Sequence, residues 1–296
     1  MPERVSLRID GREVAAREGI TVAAAIENDG QRALRRSVSG EGRGVLCAMG
    51  ICFECCVSID GVAHRRACME LVRDGMSIST GEPRFPIPDS RFPTPGESLQ
   101  CDVAVVGAGP AGIAAACRAA ESGARVVILD EGLVPGGQIY RHLPGREVPA
   151  GARAWIDRLA RSGATVQNAA AVFDAARSET GWRVFTETPE GVCTVAARSL
   201  VLATGARELF LPFPGWTLPG VYGAGAAQAL WKSGACLRGR TAVVAGSGPL
   251  LLPVAASLVK AGVNVEIVAE QAAPAALASF GAGLLRTPSK LLEAAR

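Results

Sequence analysis

Alternating apolar and polar residues open the chain and predict short strands around one helix. The run VSLRI at residues 5–9 alternates, and the Asp-Gly pair at residues 10–11 is typical of a hairpin turn. Thr21 precedes the run VAAAIEND, which predicts a short helix that ends at Gly30. A second Asp-Gly pair at residues 60–61 predicts another hairpin. These elements indicate a small domain of mixed strands and helix.

Longer apolar strands, glycine turns and alanine-rich helices replace this pattern after residue 100. The run DVAVVG, AGPAGIAAACRAAESG, ARVVILD from Asp102 predicts a βαβ unit. A stretch rich in β-forming residues covers 165–201, and a second βαβ unit begins at Thr241. Residues 83–99 contain five prolines and show no periodicity, which predicts a linker.

The composition of the chain indicates a folded protein and argues against several classes of function. Of the 296 residues, 49% are apolar and 20% are charged, as in a folded protein. The net charge of +3 argues against a nucleic acid or an anionic membrane surface as the partner. The uncharged stretch 241–259 contains a Gly-Ser-Gly-Pro break, so we predict no transmembrane segment. Nine cysteines, without an apolar signal segment at the amino end, favour a reducing compartment such as the cytoplasm.

Five of the nine cysteines lie between residues 47 and 68, and four have the spacing of a metal-binding loop. Cys47, Cys52 and Cys55 follow the C-x4-C-x2-C pattern of plant-type ferredoxins, and Cys68 can supply a fourth thiolate. We predict that these four residues hold a 2Fe-2S cluster. A tetrahedral zinc site and inert buried thiols remain as alternatives.

A glycine motif in the first βαβ unit predicts dinucleotide binding. Gly107, Gly109 and Gly112 form G-x-G-x-x-G between a strand and a helix, and Asp130 ends the next strand. The first glycine permits a sharp turn, the second a close approach of pyrophosphate, and the third close packing of helix on strand. Asp130 can accept hydrogen bonds from ribose hydroxyls. The alternative is a glycine turn that serves packing alone.

Two further loops favour FAD over NAD at this first site. The segment DEGLVPGGQIYR, which contains Gly137 and Gln138, resembles the loop after the second strand of disulfide-reductase-like flavoproteins. The run LATGA, which contains Thr204 and Gly205, resembles the ATG loop of the same superfamily. The resemblance implies that these four residues assist FAD binding.

The second βαβ unit carries a weaker glycine motif. Gly246 and Gly248 fill its first two positions, but Leu251 stands at the third and should hold the helix away from the strand. Glu270 ends the second strand and would favour NAD over NADP. NAD binding and a purely structural module both remain open for this unit.

The run GVLCAMGICFECCVSIDGVAHRRACMELVRDGM resembles the 2Fe-2S domain found with bacterial amine and amino-acid dehydrogenases. That group includes hydrogen cyanide synthase, opine oxidases, dye-linked proline and hydroxyproline dehydrogenases and the alpha chain of sarcosine oxidase. The fold expected is α/β, with a ferredoxin-like (β-grasp) domain before a Rossmann-like flavoprotein fold. The expected boundaries are 1–82 for the 2Fe-2S domain, 83–99 for the linker, 100–235 for the FAD domain and 236–296 for a partial NAD-type module.

The resemblance implies a subunit that relays electrons in a multi-component amine or amino-acid dehydrogenase. Its partners would be a flavoprotein subunit that oxidises the substrate, and an acceptor such as a quinone, cytochrome or dye. A partner could hold it at a membrane. The alternatives are an NAD(P)H-dependent reductase and a truncated structural or assembly subunit. The sequence identifies no catalytic acid or base, and we expect the flavoprotein fold to be incomplete at its carboxyl end.

Overall fold

A computed structural model describes residues 4–37, 39–81, 98–248 and 250–286. The chain divides into two compact units, residues 1–235 and 236–296. Most of the linker predicted at 83–99 lies outside the described residues, and its last two residues begin a strand.

A five-stranded mixed sheet forms the amino-terminal part of the first unit. Its strands are β1 (Arg4–Ile9), β2 (Arg12–Arg17), β5 (Cys56–Ile59), β6 (Val62–Arg66) and β7 (Ser77–Ser79). Their order is β2-β1-β7-β5-β6, and β1 runs parallel to β7 while the other neighbours are antiparallel. Every second residue of β1 is buried, as the alternation predicts. Both Asp-Gly pairs form hairpin turns in which each residue has a positive φ.

Helix α1 (Val22–Asn28) begins and ends where the sequence predicts. The Thr21 side chain accepts a hydrogen bond from the Ala24 N–H at 3.2 Å, and Gly30 has φ +88° just after the helix. The small residues of α1 are buried, so the helix packs closely. A short hairpin of β3 (Arg35–Arg36) and β4 (Gly42–Arg43) precedes the cysteine-rich segment.

A six-stranded sheet forms the rest of the first unit. Its strands are β8 (Ser98–Val106), β9 (Val126–Leu129), β10 (Thr165–Gln167), β11 (Ala171–Ser178), β12 (Gly181–Thr188) and β13 (Gly191–Leu202). In the order β10-β9-β8-β13-β12-β11, the first four strands are parallel and the last two add an antiparallel meander. The helices are α2 (Pro110–Glu121), α3 (Ala150–Arg161) and α4 (Ala224–Lys232).

Strand β8 lies in the middle of this sheet and is buried on both faces. Ala104 and Val106 contribute to one apolar core, together with residues of β9, β12 and β13. Val105 contributes to the other core, where Ile113 of α2 and Leu159 of α3 pack against the sheet. Because parallel strands end at one edge, this arrangement brings the loops after β8, β9 and β13 together.

The second unit contains one βαβ motif and a further helix. Its elements are β14 (Thr241–Gly246), α5 (Leu251–Lys260), β15 (Asn264–Glu270) and α6 (Pro274–Leu284). The two strands are parallel, as the repeated pattern predicts. None of the helices in the described ranges has the length and hydrophobicity that a membrane crossing requires.

Candidate cluster and dinucleotide sites

The cluster loop, defined here as residues 44–55, joins β4 to β5 without regular secondary structure. Ala48 and Phe53 adopt positive φ values of 49° and 57°, and Gly50 has φ +80°. Such backbone costs about 1–2 kcal/mol at a residue with a side chain, so other interactions must hold the loop in this shape. Tight left-handed turns of this kind let a short segment wrap around a compact group.

The loop and the segment after β6 bring the four predicted ligands together as two pairs. The Cys52 thiol donates a hydrogen bond that lowers the pKa of Cys47 to about 5, although burial opposes the shift. The same contact and burial raise the pKa of Cys52. Cys55 and Cys68 form the second pair: the pKa of Cys55 is raised and that of Cys68 is lowered by their hydrogen bond. All nine cysteines are free thiols.

This arrangement in pairs fits the coordination of a 2Fe-2S cluster, which takes two protein ligands on each iron. Among the described residues, no three potential ligands lie close enough to surround a single metal ion. Cys47 and Cys52 would hold one iron, and Cys55 and Cys68 the other. Cys56 is buried beside the site, with its Sγ 3.9 Å from the His64 carbonyl oxygen, and belongs to neither pair.

Backbone N–H groups of the loop point at the sulfur atoms. The Met49 N–H donates to the Cys47 Sγ at 3.4 Å. Ile51 and Cys52 also donate to Cys47, and Gly50 donates to Cys68; each contact lowers the pKa of the thiol that accepts it. Hydrogen bonds of this kind stabilise thiolates and contribute to the potential of an iron–sulfur cluster.

The glycine turn between β8 and α2 has a different steric role at each of its three glycines. A Cβ on Gly107, which has φ +101°, would lie 2.4 Å from the Ala203 carbonyl oxygen. A Cβ on Gly112 would lie 1.8 Å from the Gly107 carbonyl oxygen, so this glycine permits the helix to pack on the strand. A Cβ on Gly109 would meet no atom within 4 Å. The open space at Gly109 is where a pyrophosphate can approach the start of α2.

The paired-glycine loop lies directly against this turn. The Gly136 N–H donates to the Ala108 carbonyl oxygen at 2.8 Å, and a Cβ on Gly137 would lie 2.9 Å from the Gly109 Cα. Gln138 follows on the same loop and accepts a hydrogen bond from Arg141 at 3.0 Å. The structure therefore places Gly137 beside the glycine motif that precedes it in sequence by about thirty residues.

Asp130, at the end of β9, already receives backbone hydrogen bonds. One carboxylate oxygen accepts from the Ala108 N–H and the other from the Gly132 N–H at 2.7 Å. Burial raises the pKa of Asp130, and these two donors oppose the rise. A carboxylate can accept further hydrogen bonds, so its oxygens also suit ribose hydroxyls.

The ATG loop completes this edge of the sheet. Strand β13 neighbours β8, and the Ala203 N–H donates to the Val106 carbonyl oxygen at 2.8 Å. Thr204 and Gly205 follow it and are exposed; the Thr204 Cα lies 3.3 Å from the Cβ position of Gly107. The predicted residues of the first dinucleotide site thus lie on three adjoining loops, and the space beside Gly109 is open. These three loops are called the nucleotide cradle.

The second glycine motif differs from the first at its third position, where Leu251 stands. The Leu251 Cδ2 lies 3.3 Å from the Cβ position of Gly246, and α5 begins only at Leu251. In the first motif, the helix begins at Pro110, two residues before the third motif position, Gly112. In the second motif, the helix begins at the third position itself. Glu270 accepts from the Gly248 and Ala272 N–H groups at 2.9 and 2.8 Å. NAD binding by this unit stays a prediction.

The structure also shows two arginines that no sequence motif indicated. Arg207 follows the ATG loop, and its guanidinium donates to the Met49 carbonyl oxygen at 3.1 Å and pairs with the Glu131 carboxylate. Arg141 follows Gln138 and lies within electrostatic range of Cys47 and Cys68. The only sequence feature that could have pointed to these two arginines is that each follows a loop recognised as part of the dinucleotide site.

Two protein families match the chain. Residues 2–83 match the 2Fe-2S iron-sulfur cluster binding domain, and residues 101–285 match the family described as pyridine nucleotide-disulphide oxidoreductase. The resemblance and the fold class expected from the sequence are thereby confirmed. The cofactors expected for the two domains, a 2Fe-2S cluster and FAD, are supported by the same matches.

Individual relatives agree with these assignments. An opine oxidase subunit of Agrobacterium tumefaciens (strain Ach5) is 41% identical over 180 residues, which are 55% of this chain and 35% of that protein. Hydrogen cyanide synthase subunit HcnA of Pseudomonas aeruginosa is 41% identical over 81 residues, 27% of this chain and 78% of that subunit. The match to the opine oxidase subunit thus spans about a third of that relative's length.

One solved structure shares the fold over most of the chain. The crystal structure of L-proline dehydrogenase from P. horikoshii superposes with a TM-score of 0.71 and 22% identity. The match covers 90% of this chain and 54% of that chain. At this identity, the likeness concerns the fold.

Proposed function

Because the chain belongs to the pyridine nucleotide-disulphide oxidoreductase family and also has a 2Fe-2S domain, we propose that it relays electrons in a multi-component amine or amino-acid dehydrogenase. A bound flavin supplies two-electron chemistry, and a bound 2Fe-2S cluster supplies one-electron transfer. A subunit with both groups can receive two electrons together and pass them on singly. The names of the relatives, opine oxidase and L-proline dehydrogenase, suggest an amino-acid-type substrate for the whole enzyme.

The observation that carries this proposal is the contact between the two candidate sites. Arg207 donates to the Met49 carbonyl oxygen in the cluster loop and pairs with Glu131 at the edge of the nucleotide cradle. The Gly223 N–H donates to the Leu46 carbonyl oxygen at 3.0 Å. Electron transfer requires that the two groups lie near each other, and these contacts hold both sites at one edge of the FAD-domain sheet.

Each site residue has a role within the proposal. Cys47, Cys52, Cys55 and Cys68 hold the cluster as thiolates, and the loop N–H groups stabilise their negative charge. Gly109 and the start of α2 receive the pyrophosphate, while Asp130 receives ribose hydroxyls. The remaining residues of that site line the cradle: Gly107, Gly112, Gly137, Gln138, Thr204 and Gly205. Gly246 and Gly248 would serve NAD only if the second unit binds it.

We propose that a separate flavoprotein subunit oxidises the amine and that a quinone, cytochrome or dye accepts the electrons. The match to subunit HcnA covers 81 residues of this chain, about the length of its 2Fe-2S domain. This suggests that such a domain can form a separate subunit. Nine free thiols agree with a reducing location such as the cytoplasm.

Matched serine substitutions test the cluster ligands on the purified full-length chain after anaerobic reconstitution. Cys52→Ser should abolish the absorption bands of the cluster and the electron paramagnetic resonance signal of the reduced protein. Cys56→Ser, one residue beyond a ligand, should keep both. FAD should remain bound in both variants, because the cysteines lie outside the nucleotide cradle. A wild-type protein without iron and labile sulfide would refute the proposal, and so would equal cluster loss in the two variants.

Anaerobic reduction distinguishes the dehydrogenase from the reductase. We expect NADH alone to leave the flavin and cluster bands unchanged, and an amine substrate with the partner flavoprotein to bleach them. Bleaching by NADH alone would favour the reductase. Cluster bands without stoichiometric flavin would favour a structural or assembly subunit.

A further inference from the structure

The guanidinium of Arg207 joins the FAD domain to the cluster loop. One of its terminal nitrogens donates a hydrogen bond to the Met49 carbonyl oxygen at 3.1 Å. Met49 is two residues beyond the predicted ligand Cys47. The other terminal nitrogen of Arg207 pairs with Glu131, directly after Asp130. The side chain is 34% exposed, so part of its charge lies away from bulk water. The planar guanidinium group carries several N–H donors and can therefore bind two acceptors at once.

Neighbouring backbone contacts hold the loop against the same surface. The Leu46 carbonyl oxygen accepts from the Gly223 N–H at 3.0 Å, and the Met49 Cε lies 3.6 Å from the Cβ position of Gly225. On the FAD-domain side, Glu208 accepts from the Gly225 N–H at 2.9 Å within the first turn of α4. The loop is therefore in contact with the FAD domain on both sides of Cys47, at Leu46 and at Met49.

Arg141 adds a second positive charge on this surface. It lies within electrostatic range of Cys47 and Cys68, and so of one ligand from each cysteine pair. Its guanidinium donates to the Gln138 side-chain oxygen at 3.0 Å, which fixes its direction. Burial lowers the pKa of Arg141, and the charges of the two cysteines raise it. Arg66 of the 2Fe-2S domain also donates to the loop, at the Gly50 carbonyl oxygen 3.0 Å away. Arg207 and Arg141 are therefore the part of the positive charge around the predicted cluster that the FAD domain contributes.

We propose that Arg207 and Arg141 raise the reduction potential of the cluster and so favour electron transfer to it from the flavin. This inference rests on the proposed function, because it requires the cluster to be bound. Reduction adds one electron and no proton to a cluster that is already anionic. A nearby cation therefore stabilises the reduced form more than the oxidised form, and incomplete exposure weakens solvent screening. A bound flavin would supply that electron, and the external acceptor would later take it from the cluster.

Potentiometric titration of the reconstituted full-length chain, followed by electron paramagnetic resonance, tests this inference. Arg207→Gln should lower the equilibrium constant for one-electron reduction of the cluster about tenfold, or about 59 mV in midpoint potential. Arg141→Gln should shift it in the same direction. Arg207→Lys should restore most of the potential because it keeps the charge. Arg198→Gln is the matched control: this exposed arginine on β13 lies near Asp102 and should leave the potential unchanged.

The outcomes separate this inference from the proposed function. An unchanged potential in both glutamine variants, with the cluster fully loaded, would overturn the inference and leave the relay function standing. Equal shifts in Arg207→Lys and Arg207→Gln would also overturn it, because they would show a loss of packing, not of charge. A wild-type chain that binds no cluster would instead refute the proposed function, and the inference with it.

Discussion

Asp10 shows how one side chain both forms a turn and ties distant parts of the first domain together. It has φ +50° in the β1–β2 hairpin, and its carboxylate accepts from the Thr80 N–H and hydroxyl, both at 2.7 Å. Burial raises the pKa of Asp10, but these hydrogen bonds, one from Gln31 and the charge of Arg12 outweigh it, so the pKa lies below its ordinary value. The folded state therefore stabilises the ionised carboxylate of Asp10.

Asp10→Asn should therefore lower the free energy of unfolding by about 1 kcal/mol near neutral pH. Asparagine tolerates the same backbone, so the loss comes from the charge-assisted hydrogen bonds. Because the folded pKa is depressed, the stability from Asp10 is present above its ordinary pKa of 3.8 and is lost as the pH falls through the folded value. Denaturant unfolding at a series of pH values measures the difference between the two proteins.

Asp157→Asn is the control for this prediction. Asp157 is exposed on α3, so its substitution removes a charge without removing the Asp10 contacts. It should change stability little at any pH. A wild-type advantage over Asp10→Asn that persisted unchanged below the folded pKa would contradict the account.

The turn between β8 and α2 shows how one element separates packing from binding. Gly112 lies where the helix crosses the strand, and Gly109 lies beside open space at the start of the helix. Both belong to the same motif, but only Gly109 lies where a pyrophosphate can approach. Their surroundings predict different effects of the same substitution.

Gly112→Ala should destabilise the FAD domain by about 1–3 kcal/mol, because its Cβ would lie 1.8 Å from a carbonyl oxygen. Gly109→Ala should cost less than about 1 kcal/mol in stability. It should nevertheless weaken FAD binding by about tenfold or more, since the methyl group occupies the pyrophosphate approach. Thermal unfolding of the apoprotein and fluorescence titration with FAD measure the two effects. Unaltered FAD affinity in Gly109→Ala would favour a turn that serves packing alone.

At the scale of the whole molecule, the 2Fe-2S domain and the FAD domain form one compact unit of residues 1–235. The Thr21 N–H donates to the Ser233 carbonyl oxygen at 3.1 Å, beside the end of α4. The Tyr222 hydroxyl donates to the Glu27 carboxylate of α1 at 2.7 Å, and Glu27 is only 1% exposed. Buried polar contacts between the two parts should make them unfold together.

Tyr222→Phe should lower the free energy of unfolding of this unit by about 1–2 kcal/mol, because the buried carboxylate loses one donor. Tyr140→Phe is the matched control, since it removes the only other tyrosine hydroxyl of the chain. Calorimetry of the two variants measures the effect. Equal destabilisation by both substitutions would show that the Tyr222–Glu27 contact contributes nothing specific.

The sequence by itself determined the local elements and the motifs on which the proposed chemistry depends. The Asp-Gly turns, the Thr21 cap and the glycine motif before α2 all follow from interactions among residues close in sequence. Local backbone preferences and spacing are sufficient for such features, because few alternative conformations satisfy them. The spacing of the cysteines likewise indicated four ligands.

Only the tertiary structure decided which of these features meet. The contact of Arg207 with Met49 across 158 residues and that of Tyr222 with Glu27 across 195 residues have no sequence periodicity behind them. They depend on how the two sheets of the first unit pack, because parallel strands gather their loops at one edge whatever the distance along the chain. Packing therefore placed the positive charges of one domain beside the thiols of the other.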